Sequence, residues 1–344
     1  MVRILICTAQ IPFARGGAEL LSEGLRDALR AHGHEAEIVA LPFVWTPRPN
    51  IIKSALAWRL LDLTQVGGQP VDAIICTKFP AYAARHPRKI VWLVHQHRQA
   101  YDWYGTALSD WGAQPHDAEA RRQLQRLDRR TLGEAHKLFA ISRNVAARLR
   151  RFNQLAATPL YPPSHLAGRL QPGPFDDYIL SISRLDAAKR IHLLLEALAQ
   201  SAAPLRAIIA GRGPALAALQ QLAQQLGLAD RVRFTGFVND DTAVELFARC
   251  RAVFYAPVDE DYGLATIEAF AAGKPVLTTT DAGGVLEFVQ DHVSGLVAAP
   301  QPAALAAQLD ALADPEFAQR LGANNPDRIA GISWPNVVHS LLAP

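Results

Sequence analysis

The chain has 344 residues, of which half are hydrophobic and 19% are charged, so it has the composition of a globular protein and the length for two domains. No charged leader and no apolar segment of bilayer length precede the first strand pattern, so neither secretion nor a membrane-spanning helix is expected. Cys7, Cys76 and Cys250 lack ligand-like spacing, and we expect them to be reduced core residues of a cytoplasmic protein.

The formal net charge of +3 is distributed unevenly along the chain. Residues 1–170 contain 23 Lys and Arg against 13 Asp and Glu, whereas residues 171–344 contain 12 against 19. Much of the basic excess lies between residues 121 and 151, and a second segment that mixes basic with apolar residues spans 51–61. Solvated helix faces account for such patterns, and so does peripheral contact with an anionic membrane. No aromatic residues interleave with the basic ones, so nucleic acid is not an expected partner.

Strand patterns alternate with helical patterns along the whole chain, which predicts parallel sheets joined by crossover helices. The predicted strands lie at residues 3–8, 36–41, 72–76, 90–95 and 137–141, and then at 178–183, 205–210, 231–236, 252–256, 275–279 and 295–298. Proline-rich segments at 158–163 and 171–174 mark a boundary between the two sets. We therefore predict an α/β protein with one domain over residues 1–170 and a second over 171–333.

Two motifs follow strands of the first domain. Gly16 and Gly17 lie between the first strand and a leucine-rich helix, where glycine lets the backbone approach a bound phosphate, although a plain strand-to-helix turn has the same pattern. His95 ends the strand at 90–95, and His97 lies on the same side of an extended chain. The two histidines invite a metal interpretation, but no third ligand is evident and no metal site is predicted.

Two glutamates of the second domain form its most informative motif. Glu260 precedes the turn at Gly263, and Glu268 lies about one turn into the helix predicted at 263–273. A strand pattern precedes this loop, which places it at the carboxyl edge of a parallel sheet. The free amides of the helix N-terminus favour a phosphate there, and the two carboxylates can accept hydrogen bonds from sugar or ribose hydroxyls. The arrangement is suited to a nucleotide sugar.

Three motifs stand in order in the second half of the chain: residues 181–190 with Arg184 and Lys189, the glutamate motif, and the glycine turn at 281–284. This set resembles the retaining nucleotide-sugar glycosyltransferases of family 4, whose GT-B fold has two facing Rossmann-like domains. The resemblance is strongest over residues 178–298. It continues weakly to Ser333 and Trp334, where a last helix at about 334–344 is expected to cross back to the first domain.

The resemblance implies a role for each matching residue. Glu260 would hold hydroxyls of the donor sugar, Glu268 would hold the ribose diol, and Arg184 and Lys189 would be the cations that face the diphosphate. Further donor contacts would come from backbone amides and from the base-binding strand ends, at Gly16, Gly17, Arg212, Gly213, Val238, Gly263, Leu264 and Ala265. His95 would lie beside the donor sugar, and the acceptor side is assigned to His97, Tyr101 and Asp102.

The resulting prediction is a metal-independent hexosyltransferase. It would move a hexosyl group from a UDP- or GDP-sugar to a hydroxyl of a glycan or lipid-linked acceptor, with retention, in cell-surface polysaccharide or glycolipid synthesis. The nucleotide sugar would be a co-substrate, and no cofactor is expected. The protein would be cytoplasmic, or peripheral at the inner membrane face. Two alternatives remain open: a GT-B nucleotide-sugar epimerase, and a catalytically silent glycan-binding partner of another transferase.

Overall fold

The computed structural model describes residues 1–12, 16–112 and 114–343. The chain divides into two compact units, the first formed by Met1–His165 with Ile332–Pro344 and the second by Leu166–Gly331. The sequence analysis places this boundary after residue 170. Each unit contains its own parallel sheet and its own core.

Strands and helices alternate in both units, as the sequence pattern predicts. The strands are β1 (Arg3–Gln10), β2 (Glu35–Pro42), β3 (Gln65–Val66), β4 (Gln69–Pro70), β5 (Ala73–Cys76), β6 (Lys89–Leu93), β7 (Lys137–Ala140), β8 (Thr158–Pro159), β9 (Tyr178–Ile182), β10 (Arg206–Ala210), β11 (Val232–Gly236), β12 (Ala252–Phe254), β13 (Val276–Thr279) and β14 (Gly295–Ala298). The helices are α1 (Gly17–Ala31), α2 (Pro49–Leu60), α3 (Asp117–Gly133), α4 (Arg143–Asn153), α5 (Ile191–Gln200), α6 (Leu216–Gln225), α7 (Asp240–Arg249), α8 (Leu264–Ala271), α9 (Pro302–Leu312), α10 (Pro315–Gly322), α11 (Asn325–Arg328) and α12 (Trp334–Leu342).

The first unit is built on a six-stranded sheet in the order β2-β1-β5-β6-β7-β8, with all its neighbours parallel. Its central strands are nearly continuous apolar runs because helices cover both faces of such a sheet. Cys7 of β1 pairs in register with Cys76 of β5, and both are buried and free, as is Cys250 in the second unit. The prediction of reduced core cysteines is therefore confirmed.

The last helix, α12, packs in the first unit. Its Trp334 ring lies against Gly24 of α1, where a Cβ would stand 2.4 Å from the ring, and its centroid is 6.3 Å from that of Trp92 on β6. Glycine at position 24 is thus what allows the indole to reach the sheet. The prediction that the C-terminal helix returns to the first domain is confirmed.

The second unit repeats the architecture with the strand order β11-β10-β9-β12-β13-β14, again wholly parallel. The chain moves outward from β9 through β10 to β11 and then returns to the other side of β9 to form β12. The strand order therefore reverses between β9 and β12. In open α/β sheets, ligands bind at such a switch point, outside the carboxyl ends of the strands. The corresponding switch point of the first unit lies between β1 and β5.

In the described part of the chain, no helix combines the length and the apolar character needed to cross a bilayer.

Candidate active site

The segment after β9 passes directly over the switch point of the second unit. It forms a single 3₁₀ turn at Ala187–Lys189, which the Asp186 carboxylate caps by accepting a hydrogen bond from the Lys189 amide at 3.3 Å. The amide of Val258, in the loop after β12, donates to the carbonyl of Ala188 at 2.9 Å. The loops that follow β9 and β12 are therefore fixed to one another.

Lys189 and Glu260 form an ion pair where these two loops meet. The Lys189 ammonium donates to Glu260 Oε2 and, at 3.0 Å, to the hydroxyl of Tyr255. Both charged side chains are largely buried, with 19% of Lys189 and 17% of Glu260 exposed. Burial disfavours the charged ammonium, but Tyr255 and Glu260 outweigh it and raise the pKa of Lys189. A fixed positive charge therefore lies at the switch point at every physiological pH.

Arg184, the second predicted cation, is placed differently. Its side chain is 72% exposed, and its Nε lies 3.7 Å from a carboxylate oxygen of Asp186. An exposed guanidinium on the same segment as Lys189 can turn toward a bound anion. Arg212, in the loop after β10, is also exposed.

Arg190 links the loops at the carboxyl edge of the second unit's sheet. Its guanidinium donates to the carbonyls of Ala256 and Pro257 at 2.8 and 3.0 Å and to Asp281 through two nitrogens at 2.8 and 2.7 Å. These hydrogen bonds join the ends of β12 and β13, and the guanidinium holds the pKa of the Asp281 carboxyl below its usual range. Arg190 therefore has a structural role beside the two candidate ligand-binding cations.

The helix α8 begins at the same edge. Gly263 precedes it with φ +93°, a conformation that favours glycine, and a Cβ there would lie 3.0 Å from Val285 and 3.2 Å from the Tyr255 ring. The amides of Leu264 and Ala265 precede the first hydrogen bond of the helix, which the Thr266 amide donates to the Gly263 carbonyl at 2.9 Å, so they form an anion-binding end. Glu268 lies one turn further along and is 8% exposed. A buried carboxylate beside a helix N-terminus is suited to hydroxyl recognition.

The loop that carries Glu260 is shaped by the glycine turn after β13. Glu260 forms a bridge with Gly283, whose φ is +62°, and its carbonyl accepts from the Gly284 amide at 2.8 Å. A Cβ on Gly283 would stand 2.7 Å from the amide nitrogen of Glu260. Only glycine allows the two loops to approach this closely, so the turn fixes the position of Glu260.

A second glycine turn supports the segment that carries Arg184. A Cβ on Gly211, whose φ is +136°, would lie 1.8 Å from the Ser183 carbonyl oxygen, and one on Gly213 would lie 2.1 Å from that of Leu185. The amide of Leu185 donates to the carbonyl of Arg212 at 3.0 Å. Gly211 and Gly213 therefore have a clear packing role. Val238, at the next strand end, is half-buried against the core of the unit.

In the first unit, the glycine motif lies at the switch point between β1 and β5. Arg15, which belongs to the motif, lies outside the described residues. The amide of Gly16 donates to Glu19 at 3.0 Å, Gly17 begins α1, and Glu19 forms a 2.7 Å ion pair with Lys78 in the loop after β5. The turn is thus tied to the neighbouring strand end. Lys78 is a cation at this edge that the sequence analysis did not single out.

His95 and His97 follow β6 and have different surroundings. His95 is half-buried, and its Nδ1 lies 2.7 Å from the Gln96 carbonyl oxygen. The ring of His97 is surrounded by Phe43, Phe79 and Trp111, with centroids 5.6 to 5.9 Å away. Burial lowers the pKa of His97 to about 4, with further contributions from His95 and Arg48, so its imidazole is neutral at physiological pH.

Tyr101 and Asp102, assigned to the acceptor side, are engaged inside the first unit. Tyr101 is 2% exposed, donates to Asp128 at 2.6 Å and accepts from Asn153 at 3.1 Å. Asp102 accepts from Arg98 at 2.9 Å, and Arg148 lies 3.5 Å away. These contacts favour structural roles for both residues in this conformation.

Comparisons with known proteins relate the chain to glycosyltransferases. Residues 171–328 match the family model described as glycosyl transferases group 1. An uncharacterised glycosyltransferase of Methanocaldococcus jannaschii is 25% identical over 94% of this chain and 92% of its own length. The chain is similar to glycosyltransferases of the family 4 type, most clearly over residues 171–328. Further curated relatives are matched over less than half of their own length.

Solved structures share the fold of this chain. Sucrose-phosphate synthase from Thermosynechococcus elongatus superimposes with a TM-score of 0.77 at 20% identity, over 98% of this chain and 97% of the other. The Anabaena protein HepE, in complex with UDP and glucose, superimposes with a TM-score of 0.71 at 20% identity, over 99% and 98%. The prediction of a GT-B fold is confirmed.

Tyr255 and Lys78 are residues of the candidate site that sequence reasoning missed. Tyr255 belongs to the core of the second unit, as its place in an apolar run predicts, and the structure shows that its hydroxyl also accepts a hydrogen bond from Lys189. Little in the sequence indicated Lys78. Its partner Glu19 stands at the third position of α1, where a carboxylate commonly caps the helix, so no ion pair with another loop was expected.

Within residues 1–12, 16–112 and 114–343, no three His, Cys, Asp or Glu side chains cluster in a way that could hold a metal ion. Metal independence stays a prediction.

Asp128 provides a pH-dependent test of the network around Tyr101. Burial raises the pKa of its carboxyl to about 7, against the opposing effect of the hydrogen bond from Tyr101. Because an unfolded aspartate has a pKa near 3.9, the protonated form stabilises the fold, and this contribution is lost as the pH rises from about 4 through about 7. We expect the unfolding free energy of Asp128→Asn relative to wild type to rise over that range, by at most about 1.4 kcal/mol per pH unit.

Urea unfolding at a series of pH values measures this difference. The exposed Asp230→Asn is the control, and its difference from wild type should not change with pH. A flat difference for Asp128→Asn would show that the buried carboxyl is ionised throughout.

Proposed function

We propose that this protein transfers a hexosyl group from a UDP- or GDP-sugar to an acceptor hydroxyl, with retention at the anomeric carbon. The observation that carries the proposal is the buried Lys189–Glu260 pair beside the N-terminus of α8, with the buried Glu268 one turn into that helix. A cation, an anion-binding helix end and two carboxylates then lie at one switch point. Those are the groups that a nucleoside diphosphate joined to a sugar requires.

In this proposal each group of the second unit binds one part of the donor. The free amides at Leu264 and Ala265 bind the distal phosphate, since helix N-termini favour anions. Glu268 accepts hydrogen bonds from the ribose diol, and Glu260 accepts from hydroxyls of the sugar. Gly213 and Val238 place backbone groups near the base. Arg212 directly precedes Gly213 in the chain, so its side chain contributes to the same part of the donor site.

The chemistry then requires charge stabilisation more than a nucleophile. As the bond from the anomeric carbon to the diphosphate breaks, Lys189 and the exposed Arg184 stabilise the negative charge that develops on the leaving group. The acceptor oxygen bonds to the anomeric carbon on the face that the diphosphate leaves, and its proton passes to the leaving phosphate. Glu260 is paired with Lys189, which makes it a poor covalent nucleophile. No metal ion is needed for this sequence.

Residues of the first unit supply the remaining contacts in the proposal. Gly16 and Gly17 lie near donor phosphates, His95 lies beside the sugar, and the neutral His97 lies on the acceptor side. The acceptor is a glycan or a lipid-linked sugar in surface polysaccharide or glycolipid synthesis. The HepE complexes contain UDP, and that likeness favours UDP as the first nucleotide to test.

Thermal unfolding with a panel of UDP- and GDP-sugars tests the donor site, because a ligand that binds only the folded state raises its stability. We expect one nucleotide class to raise Tm in the presence of a metal chelator, and Glu268→Ala to remove the shift. Glu245→Ala, which changes an exposed glutamate of α7, is the matched control and should keep it. An equal shift in wild type and Glu268→Ala would place the nucleotide elsewhere.

A further inference from the structure

The helix α2 of the first unit has apolar residues on both of its sides. Its inner side packs into the core through Ile51, Ala55 and Trp58. Its outer side, at the i, i+3, i+4 and i+7 spacing of one helix face, is formed by exposed residues: Lys53, Leu56, Ala57 and Leu60. Leu56 is 51% exposed and Leu60 is 85% exposed. An outward stripe of this kind is unusual on a soluble helix, whose outer face is ordinarily polar.

The loop before α2 extends the exposed apolar surface. Val44 is 46% exposed and Trp45 is 39% exposed. The Ser54 hydroxyl donates to the carbonyl of Val44 at 3.5 Å, so this loop lies against the first turns of the helix. Tryptophan is enriched at membrane–water interfaces because its ring is apolar and its N–H is polar. The surface therefore runs along α2, about 18 Å for 12 residues.

A basic pocket lies at the other end of α2. It has a volume of about 590 Å³ and contains the exposed Leu60 together with charged and polar side chains, namely Arg59, Asp62, Thr64, Arg85, His86, Lys89 and Glu134. Arg59 and Lys89 both pair with Glu134, at 2.6 and 3.2 Å, and Lys89 also donates to three carbonyls. Arg85 is exposed and makes none of the hydrogen bonds or ion pairs found among the described residues. The Arg85 guanidinium is therefore available to bind an anion.

The other basic segment of the first unit is less suited to such a role. Arg122 and Arg126 of α3 pair with Glu119 at 2.7 and 3.3 Å, and Arg148 of α4 is buried 3.5 Å from Asp102. Part of the positive charge between residues 121 and 151 is thus neutralised within the protein. The outer face of α2 differs from α3 because it presents exposed leucine side chains beside the exposed Arg85.

We propose that the outer face of α2, the adjoining residues Val44 and Trp45, and the Arg85 pocket form a docking surface for a membrane that carries anionic headgroups. Leu56 and Leu60 enter the boundary between headgroups and acyl chains, Trp45 lies at that boundary, and Arg85 meets a lipid phosphate. The surplus of basic residues in the first half of the chain attracts the protein to such a membrane. This inference concerns a surface outside the donor site and does not depend on the proposed reaction.

Vesicle flotation at low salt tests this surface with the full-length protein. We expect binding to phosphatidylcholine vesicles that contain a third phosphatidylglycerol, and little binding to phosphatidylcholine alone. Leu56→Gln and Leu60→Gln should each weaken partitioning by roughly 10-fold, since each removes a leucine side chain from the apolar phase. Val293→Gln, which changes a residue of the second unit that is 44% exposed, is the matched apolar control.

A second set of variants separates charge from apolar contact. Arg85→Ala should weaken binding to the anionic vesicles more than Arg129→Ala, which removes an equal charge from an exposed site on α3. Equal losses would show that only overall charge matters and would overturn the pocket. Binding that is absent, or equal on neutral vesicles, would overturn the membrane surface. Dimerisation in solution that Leu56→Gln and Leu60→Gln abolish would also overturn the membrane surface, because the outer face of α2 would then be a contact between two copies of the chain.

Discussion

Lys189→Met is expected to lower kcat by about 10²- to 10³-fold, the range found when one preorganised charge-stabilising group is removed. In the structure its ammonium is fixed by Tyr255 and Glu260, and its side chain is 19% exposed. In the proposed reaction this charge stabilises the leaving diphosphate. Methionine keeps much of the side-chain volume but removes the charge. The same change leaves the Glu260 carboxylate without its cation, and we expect it to cost about 2–3 kcal/mol of stability, less than a fully buried pair would.

Two variants separate the catalytic effect from the loss of stability. Lys274→Met removes another buried lysine of the second unit, one that donates to the carbonyls of Gly173 and Pro174 at 3.0 and 2.6 Å at the start of β13, away from the carboxyl edge. It should reduce stability and leave kcat near the wild-type value. Lys189→Met combined with Glu260→Gln should recover stability without recovering turnover. If Lys189→Met kept wild-type kcat, its charge would have no part in the reaction.

Gly211→Ala is expected to be among the most destabilising single substitutions in the second unit, at about 3 kcal/mol or more. The new Cβ would lie 1.8 Å from the Ser183 carbonyl oxygen, and φ at this position is +136°. The atoms that the new Cβ would meet belong to the Ser183 backbone, so no side-chain rotation relieves the clash. The segment from Ser183 to Lys189 would have to move, and donor affinity should fall with stability.

Gly227→Ala is the matched control for this prediction. Gly227 also has a positive φ, +67°, but a Cβ there would meet nothing within 4 Å. Its cost should be only the backbone strain of roughly 1 kcal/mol. Unfolding in urea measures both values, and equal losses for the two variants would show that the Ser183 contact is unimportant.

The alternation of strands and helices could be predicted from the sequence because each central strand is a short apolar run bounded by helical patterns. Strands such as β1 and β9 are buried on both faces and therefore show no alternation that would confuse the assignment. The small antiparallel pair β3 and β4 was missed, since two residues per strand carry no periodicity. β8 was also missed, because its Thr158–Pro159 pair reads as a proline-rich linker.

The second-unit site was predictable to the level of its charged residues. Glu260, Glu268 and Lys189 stand at strand ends and a helix start, where residue type and position indicate ligand binding. What the sequence could not show is how they are held. The pairing of Lys189 with Glu260 joins residues 71 positions apart, and the contact of Arg190 with Asp281 joins residues 91 apart.

For the acceptor-side residues, the sequence did not predict that the side chains are buried. A run of aromatic and polar residues after β6 is typical of a sugar-binding loop, but Tyr101 is turned inward by Asp128 and Asn153. Those partners lie on α3 and α4, and no local pattern marks their contact with Tyr101. His97 is likewise surrounded by rings from three separate loops. Burial of this kind depends on tertiary packing, which residue type alone does not determine.

A proton NMR time course with an α-linked UDP-sugar shows directly whether transfer proceeds with retention, because it follows the anomeric signal of the hexosyl group as it leaves the nucleotide. We expect the product, whether glycoside or hydrolysed sugar, to appear first as the α anomer, and we expect Lys189→Met to slow nucleotide release. A β anomer that appears first, or release at the same rate in Lys189→Met, would contradict the proposed reaction.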